Sequence, residues 1–219
     1  MHRIMIKAVL FDLDGVLIDS EVQDQKWTKE FIDIKGINIP IRRFEKLIGS
    51  HRKQNVWKDV IKGYENLIDD DFLSELRAFK SVKRESFNYE DILFDDVKEF
   101  LDFLKINNIR IACASSSNIN YINNALSMCH IKDYFDLICT GDDFKESKPS
   151  PEIYLWCMDK FGLKNNECLV IEDSPYGIEA AKNASMMVVA RKTTFSFSQD
   201  NADMIVDNLN EIKNELIIM

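Results

Sequence analysis

The chain contains 219 residues, of which 46% are hydrophobic and 30% are charged, and its formal net charge is −9. This size suffices for one well-buried core with a smaller appended domain. The acidic balance argues against nucleic acids and anionic membranes as partners, because both require a basic face.

The apolar runs of the sequence are all shorter than the roughly 18–20 residues that a bilayer-spanning helix requires. The first residues lack the length and the small-residue cleavage site of a signal peptide. The five cysteines form no C-x-x-C pair and are typical of buried thiols in a reducing compartment. We therefore expect a cytoplasmic protein.

The elements begin with a β-rich run at residues 7–11, which predicts a buried strand and a turn after it. Residues 20–86 carry apolar side chains at helical spacing, which predicts an insertion of three or four helices. Strands and helices alternate after about residue 90. Strands are predicted at residues 109–114, 137–140, 168–171, 186–190 and 204–206, and helices at residues 97–105, 119–128, 151–161, 175–183 and 209–216.

This alternation predicts an α/β protein with a parallel sheet and helices on both of its faces. In such sheets, ligands bind beyond the carboxyl ends of the strands. Three of the predicted strands end in polar side chains and one further loop carries a lysine, so these groups should converge on one edge: Asp12 and Asp14, Ser115, Glu172 and Asp173, and Lys148.

The carboxylates of Asp12, Asp14 and Asp173 would repel one another in a shared crevice, so they require a cation. Ligands that are all oxygen suit a hard ion. A few carboxylates with waters and a substrate phosphate fit Mg²⁺ better than Ca²⁺.

The remaining polar groups favour phosphoryl transfer. Lys148 supplies a fixed positive charge, Ser115 supplies a hydroxyl, and the backbone amides of Ser116 and Ser117 open the next predicted helix, where a phosphate oxygen binds favourably. Asp12 would attack phosphorus, and Asp14 would protonate the leaving oxygen and then deprotonate water.

Each cluster also has a structural interpretation when it is taken alone. The D-x-D-G sequence could be an acidic turn, the serines could cap a helix, and residues 172 and 173 could begin a salt-bridged helix. The joint arrangement favours function, because four clusters with complementary chemistry rarely follow from turns and caps.

The four clusters resemble the ordered motifs of the haloacid dehalogenase superfamily. They read DLDGVLIDS at residues 12–20, ASSS at 114–117, KPSP at 148–151 and VIEDSPYGI at 170–178. The layout is most similar to the β-phosphoglucomutase-like and sugar-phosphatase branch, which carries a small helical cap.

The resemblance implies a Rossmann-like catalytic core at residues 1–19 and 87–219, and a helical cap at residues 20–86. It implies Asp12 as the nucleophile and Asp14 as the general acid and base. Phosphate would be bound by Ser115, Ser116 and Lys148. Mg²⁺ would be held by the Asp12 carboxylate, the Asp14 backbone carbonyl and Asp173, with Glu172 in support or joined through water.

Cap residues 47–52, LIGSHR, resemble the family's substrate loop. Gly49 would admit the substrate closely, and Arg52 would meet a distal phosphate. The alternative is a helix start with Ser50 as its cap and Arg52 in solvent. Ile48 and Asp24 stand where the mutases of this branch carry lysine and histidine, which favours hydrolysis over mutase activity.

The sequence therefore predicts a Mg²⁺-dependent phosphatase of small phosphorylated metabolites, with sugar phosphates as the expected class. The alternatives are a phosphosugar mutase and a regulator that binds phosphate ligands without catalysis. We expect a monomer that binds neither nucleic acid nor membrane.

Overall fold

The structure is a computed structural model that describes residues 6–47 and 59–218. In this part of the chain, six strands form one sheet in the order β3-β2-β1-β4-β5-β6, and every neighbouring pair is parallel. The strands are β1 Ala8–Phe11, β2 Arg110–Ser115, β3 Leu137–Thr140, β4 Cys168–Glu172, β5 Met187–Arg191 and β6 Met204–Val206. Because β1 lies inside the sheet, its carboxyl end is flanked by those of β2 and β4.

The helices connect the strands and form the inserted segment. They include α1 Ser20–Ile34, α2 Asp70–Glu85, α3 Val97–Ile106, α4 Ile119–Met128, α5 Glu152–Phe161, α6 Pro175–Asn183 and α7 Lys213–Ile218. A 3₁₀ helix spans Ile41–Leu47 between α1 and α2. None of these described helices combines the length and apolar composition that a membrane crossing requires.

Both faces of the sheet are buried. Val9 and Phe11 of β1 belong to an apolar cluster that includes residues of α3 and α4. The alternate residues Ala8 and Leu10 belong to a second cluster, which includes residues of α5 and α6. A strand that is covered on both sides has no polar face, which explains the continuous apolar run in the sequence. The predicted α/β fold is confirmed.

The inserted segment has an apolar cluster of its own. Phe31 and Ile32 of α1 pack with Phe44 of the 3₁₀ helix and with Phe72 and Leu76 of α2. The periodic apolar residues of this segment thus bury one another rather than extending either core of the sheet.

The insertion joins the sheet through two chain segments that are bonded to each other. The Asp19 N–H donates to the Ile92 carbonyl at 2.8 Å, and the Phe94 N–H donates to the Leu17 carbonyl at 3.1 Å. Ile18 and Leu93 form an antiparallel bridge between these bonds. The entry to the insertion and the exit from it therefore run side by side.

The element boundaries differ little from the predictions. Strands β2 and β5 each begin and end one residue later than expected. The predicted last helix divides into a 3₁₀ turn at Leu209–Ile212 and α7.

Candidate active site

The carboxyl edge of the sheet brings together the polar residues that the sequence places at strand ends. Asp12 follows β1, Ser115 ends β2, Glu172 ends β4 and Asp173 comes next, while Lys148 enters from the loop between β3 and α5. All five residues are buried, with no more than 7% of their surface exposed. Burial of so many charged groups requires that they compensate one another.

Three carboxylates form the centre of this arrangement. Asp12, Glu172 and Asp173 each offer an oxygen, and these oxygens lie within 4.8 Å of one another. The ammonium of Lys148 contacts Asp12, and it also donates to Glu172 at 2.6 Å and to the Ala114 carbonyl at 3.1 Å. One ammonium leaves two of the three negative charges without compensation when all three groups are ionised.

The pKa shifts of these groups are consistent with the uncompensated negative charge. Burial raises the pKa of Asp12 to about 7, against the opposing charge of Lys148 and with further increases from Glu172 and Asp14. Burial and the neighbouring carboxylates of Glu172 and Asp12 raise the pKa of Asp173 well above its usual range. Burial disfavours the charge of Lys148, but Asp12 and Glu172 outweigh it and raise the pKa of that ammonium well above its usual range. The cluster is therefore suited to a further cation.

A cavity of about 20 Å³ adjoins this cluster. Its walls include Asp12, Asp173, Lys148 and Ser115. A space of this size holds about one water molecule or one small ion. Its donors are carboxylate and hydroxyl oxygens, which suit a hard divalent cation and do not suit a soft one.

Glu172 is fixed from several directions. Tyr154 of α5 donates its hydroxyl to one carboxylate oxygen at 2.6 Å. The other oxygen accepts the N–H groups of Asp173 at 3.0 Å and of Ser174 at 3.3 Å. Glu172 thus links β4, α5 and the loop that begins α6, and it holds the Lys148 ammonium in place.

Two glycines allow backbone to approach the cluster closely. Gly15 has φ +78°, and a Cβ there would lie 2.2 Å from a carboxylate oxygen of Asp173. A Cβ on Gly177 of α6 would lie 1.8 Å from a carboxylate oxygen of Glu172. Any larger residue at either position would displace a carboxylate.

Asp14 also lines the small cavity, although its carboxylate is not one of the three that form the cluster. That its side chain shares one cation with Asp12 and Asp173 stays a prediction. Hydroxyl groups hold this carboxylate. Ser20 donates to it at 2.5 Å, Tyr121 at 2.6 Å and Ser117 at 3.0 Å. Glu172 is the third carboxylate of the cluster, because it ends the strand next to β1 and accepts from Lys148.

The serines after β2 lie in the loop that leads into α4. Helix α4 begins at Ile119, as predicted, with Asn118 as its cap, so the amides of Ser116 and Ser117 precede its first turn. The Ser117 N–H donates to the Ser115 hydroxyl at 3.1 Å, so this amide is occupied within the loop. Ser116 lines the small cavity and packs against Gly141, where a Cβ would lie 2.9 Å from the Ser116 Cα.

A larger cleft of about 830 Å³ opens beside the small cavity. Its walls come from α1, α2 and the start of α4, so it lies between the insertion and the sheet edge. Asp24 of α1 lines it and is paired with Lys80 at 2.5 Å and Arg84 at 2.7 Å, both from α2. Half-buried Glu21 lines both spaces, and burial raises its pKa well above the usual range, with a further increase from Asp14.

The predicted cap contacts Gly49 and Arg52 lie outside the described residues and stay predictions.

Three side chains that support the site were not predicted from the sequence: Tyr154, Tyr121 and Gln199. The Gln199 amide donates to the Asp173 carbonyl at 2.6 Å and to the carbonyl at the end of β5 at 2.7 Å. The only sequence signal for the tyrosines was their place on helices that follow motif loops.

Known proteins with sequences similar to this chain include two named as phosphatases. The chain is 26% identical over 218 residues to the phosphoglycolate phosphatase of Nitrosococcus oceani, covering 96% of each chain. It is 26% identical over 189 residues to the phosphorylated carbohydrates phosphatase of Thermotoga maritima, covering 83% of this chain and 82% of the relative.

Solved structures give the same result. A β-phosphoglucomutase from Clostridium difficile superposes on this chain with a TM-score of 0.75 at 26% identity. The superposition covers 98% of this chain and 100% of the other. The model of the haloacid dehalogenase-like hydrolase family matches residues 9–191. The predicted superfamily is thereby confirmed: the chain belongs to the haloacid dehalogenase-like hydrolases.

Proposed function

We propose that this chain is a Mg²⁺-dependent phosphatase of small phosphorylated metabolites, with sugar phosphates as its substrate class. The observation that carries the proposal is the buried Asp12 carboxylate. It lies against Lys148 and two further carboxylates, beside a cavity for one ion and next to a cleft of about 830 Å³. Relatives named as phosphatases, one of them acting on phosphorylated carbohydrates, support the substrate class.

Asp12 is the nucleophile in this proposal. Its carboxylate attacks phosphorus and forms an aspartyl-phosphate, while the alcohol leaves. Lys148, Ser115 and Ser116 bind the phosphoryl oxygens, and the Lys148 ammonium offsets their negative charge so that an anionic nucleophile can approach. Glu172 and Tyr154 keep that ammonium in place.

The carboxylates of Asp12 and Asp173 would hold Mg²⁺, with the Asp14 backbone carbonyl as a further ligand and Glu172 in support. The oxygen donors and the buried excess of negative charge fit this ion. When bound, Mg²⁺ supplies positive charge for the phosphoryl group.

Asp14 is the proton-transfer group. It gives a proton to the leaving oxygen as the substrate P–O bond breaks, and the resulting carboxylate takes a proton from the water that attacks the aspartyl-phosphate. That second step releases phosphate and regenerates Asp12.

We further propose that residues 20–86 act as the cap domain and that the larger cleft receives the organic part of the substrate. Gly49 and Arg52 would contact this part, as the family resemblance implies. Because the walls of the cleft come from both the cap and the sheet edge, closure of the cap would shield the reaction from bulk water.

Phosphate release from a panel of sugar phosphates tests the proposal, with Mg²⁺ and with EDTA. We expect Asp12→Asn to lower kcat by about 10³-fold or more. Asp133→Asn, which removes the same charge from an exposed turn, should retain activity. Hydrolysis that survives in Asp12→Asn or in EDTA would refute the proposed chemistry.

A phosphosugar mutase is the second candidate, because a β-phosphoglucomutase is among the structural neighbours. The family resemblance implies a histidine in the mutases of this branch at the position of Asp24, so the aspartate favours hydrolysis. In this chain Asp24 is paired with Lys80 and Arg84. Incubation with a hexose 1-phosphate distinguishes the two functions. Free phosphate supports a phosphatase, and accumulation of the 6-phosphate supports a mutase.

A further inference from the structure

Asp14 is held by an arrangement that its proposed role in proton transfer does not by itself explain. A carboxylate in solution rotates freely about its χ angles, whereas three hydroxyl donors reach this one from three parts of the chain. Ser20 begins α1, Ser117 lies in the loop after β2, and Tyr121 lies in the first turn of α4. Two of the bonds fall on one oxygen, Oδ1, and the Ser117 bond falls on Oδ2.

Tyr121 is the most constrained of these donors. Its hydroxyl lies 2.6 Å from Asp14, and its ring packs edge-on against Tyr89 with the ring centroids 5.5 Å apart. Burial and the Asp14 carboxylate raise the pKa of Tyr121 well above its usual range, so the phenol keeps its proton and remains a donor. A phenol has only two χ angles, so packing of the ring fixes the position of its oxygen.

We propose that Tyr121 is a positioning residue that fixes the Asp14 carboxyl group for proton transfer to the leaving oxygen. The inference rests on the proposed function, because it assigns to Tyr121 a part of the reaction in which Asp14 is the acid and then the base. Tyr121 does not exchange a proton with substrate. It fixes the direction of the Asp14 carboxyl group while that group gives a proton to the leaving alkoxide and later takes one from water.

Positioning of this kind has a selective consequence. A sugar alkoxide is a poor leaving group and needs a proton as the P–O bond breaks, whereas p-nitrophenolate leaves without one. General acid–base catalysis contributes roughly 10²–10⁴-fold to the steps that need it. A misaligned Asp14 therefore slows transfer of the phosphoryl group to Asp12 far more for an alkyl phosphate than for p-nitrophenyl phosphate. Hydrolysis of the aspartyl-phosphate is common to both substrates, so kcat/KM, which reports the first transfer, measures the difference.

The test is Tyr121→Phe, which keeps the ring and removes the hydroxyl. We expect kcat/KM for glycerol 3-phosphate, or for the best sugar phosphate of the panel, to fall about 10-fold, and kcat/KM for p-nitrophenyl phosphate to change less than about 2-fold. Ser117→Ala removes a different donor to Asp14 and should show the same selectivity. This second variant keeps the test decisive if Tyr121→Phe folds poorly.

Tyr134→Phe is the matched control, because it removes a phenol hydroxyl that donates to a different aspartate, Asp102, also at 2.6 Å, and Tyr134 lines neither the cleft nor the small cavity. It should leave the ratio of the two kcat/KM values unchanged. Equal losses of kcat/KM on both substrates in Tyr121→Phe would reduce Tyr121 to a structural role and overturn the inference. A gain in kcat/KM on alkyl phosphates would also overturn it, because the bond would then hold Asp14 away from the reaction. Wild type that hydrolyses neither substrate with Mg²⁺ would instead refute the proposed function.

Discussion

The buried charge of Asp12 makes a quantitative prediction about stability without metal. The folded protein raises the pKa of this carboxyl from 3.8 to about 7, chiefly through burial. Between these two values the folded state holds a proton that the unfolded state has lost, so the free energy of unfolding falls as the pH rises. At about 1.4 kcal/mol per pKa unit, the full loss approaches about 4 kcal/mol and is complete once the pH exceeds about 7.

Replacement of Asp12 by asparagine removes this titration. In EDTA, the free energy of unfolding of Asp12→Asn relative to wild type should therefore increase between pH 4 and pH 8 by as much as about 4 kcal/mol. Asp173 should add to the change in the same direction, because the Asp12 charge contributes to its raised pKa. Saturating Mg²⁺ should stabilise wild type more at pH 8 than at pH 5, since protons compete with the ion for the carboxylates.

Urea titrations of both proteins at pH 4, 5, 6, 7 and 8, followed by circular dichroism, measure the difference directly. Asp133→Asn serves as the control and should differ from wild type by a constant amount, because its carboxylate is exposed. If the difference between Asp12→Asn and wild type in EDTA does not depend on pH, the carboxylate is not held in the environment described above, and the electrostatic argument for a cation fails.

Three further substitutions test the supports of the site. Gly15→Ala should weaken Mg²⁺ binding and lower kcat, because its Cβ would displace Asp173. Gly162 is the control, because it has a similar left-handed φ of +63° but no atom near its Cβ position, so Gly162→Ala should only lower the melting temperature. Calorimetric titration with Mg²⁺ separates these outcomes, and equal affinities would contradict the steric argument. Lys148→Met leaves buried carboxylates without their cation, so urea unfolding at pH 8 should show a loss of about 3–5 kcal/mol, and a smaller loss than about 1 kcal/mol would contradict the pairing. Gln199→Met should cost about 1–3 kcal/mol by the same measurement, because two backbone carbonyls lose a buried donor, and unchanged stability would show that water replaces the amide.

The sheet and its polar edge could be predicted because each depends on short, local patterns. A run such as residues 8–11 is apolar on both faces, and only a covered parallel strand suits it. Once parallel strands are predicted, their carboxyl ends must share an edge. This reasoning was enough to bring Asp12, Ser115, Lys148 and Asp173 together.

The orientation of side chains at that edge could not be predicted in the same way. Asp14 and Asp12 are two residues apart, yet Asp14 accepts from hydroxyl groups, and one of these donors, Tyr121, lies 107 positions further along the chain. The pairing of Asp24 with Lys80 and Arg84 depends likewise on how α1 packs against α2. Such contacts arise from tertiary packing, which spacing along the sequence does not encode.

The paired connections at Ile18 and Leu93 have a mechanical consequence. Two separate connecting segments would let the insertion translate, twist and rotate relative to the sheet, whereas two segments hydrogen-bonded side by side behave as one narrow connection. An insertion held in this way rotates most easily about a single axis. The cleft between the insertion and the sheet edge should therefore open and close by rotation about that axis, and each closure should return the α1 and α2 side chains to the same positions beside the small cavity.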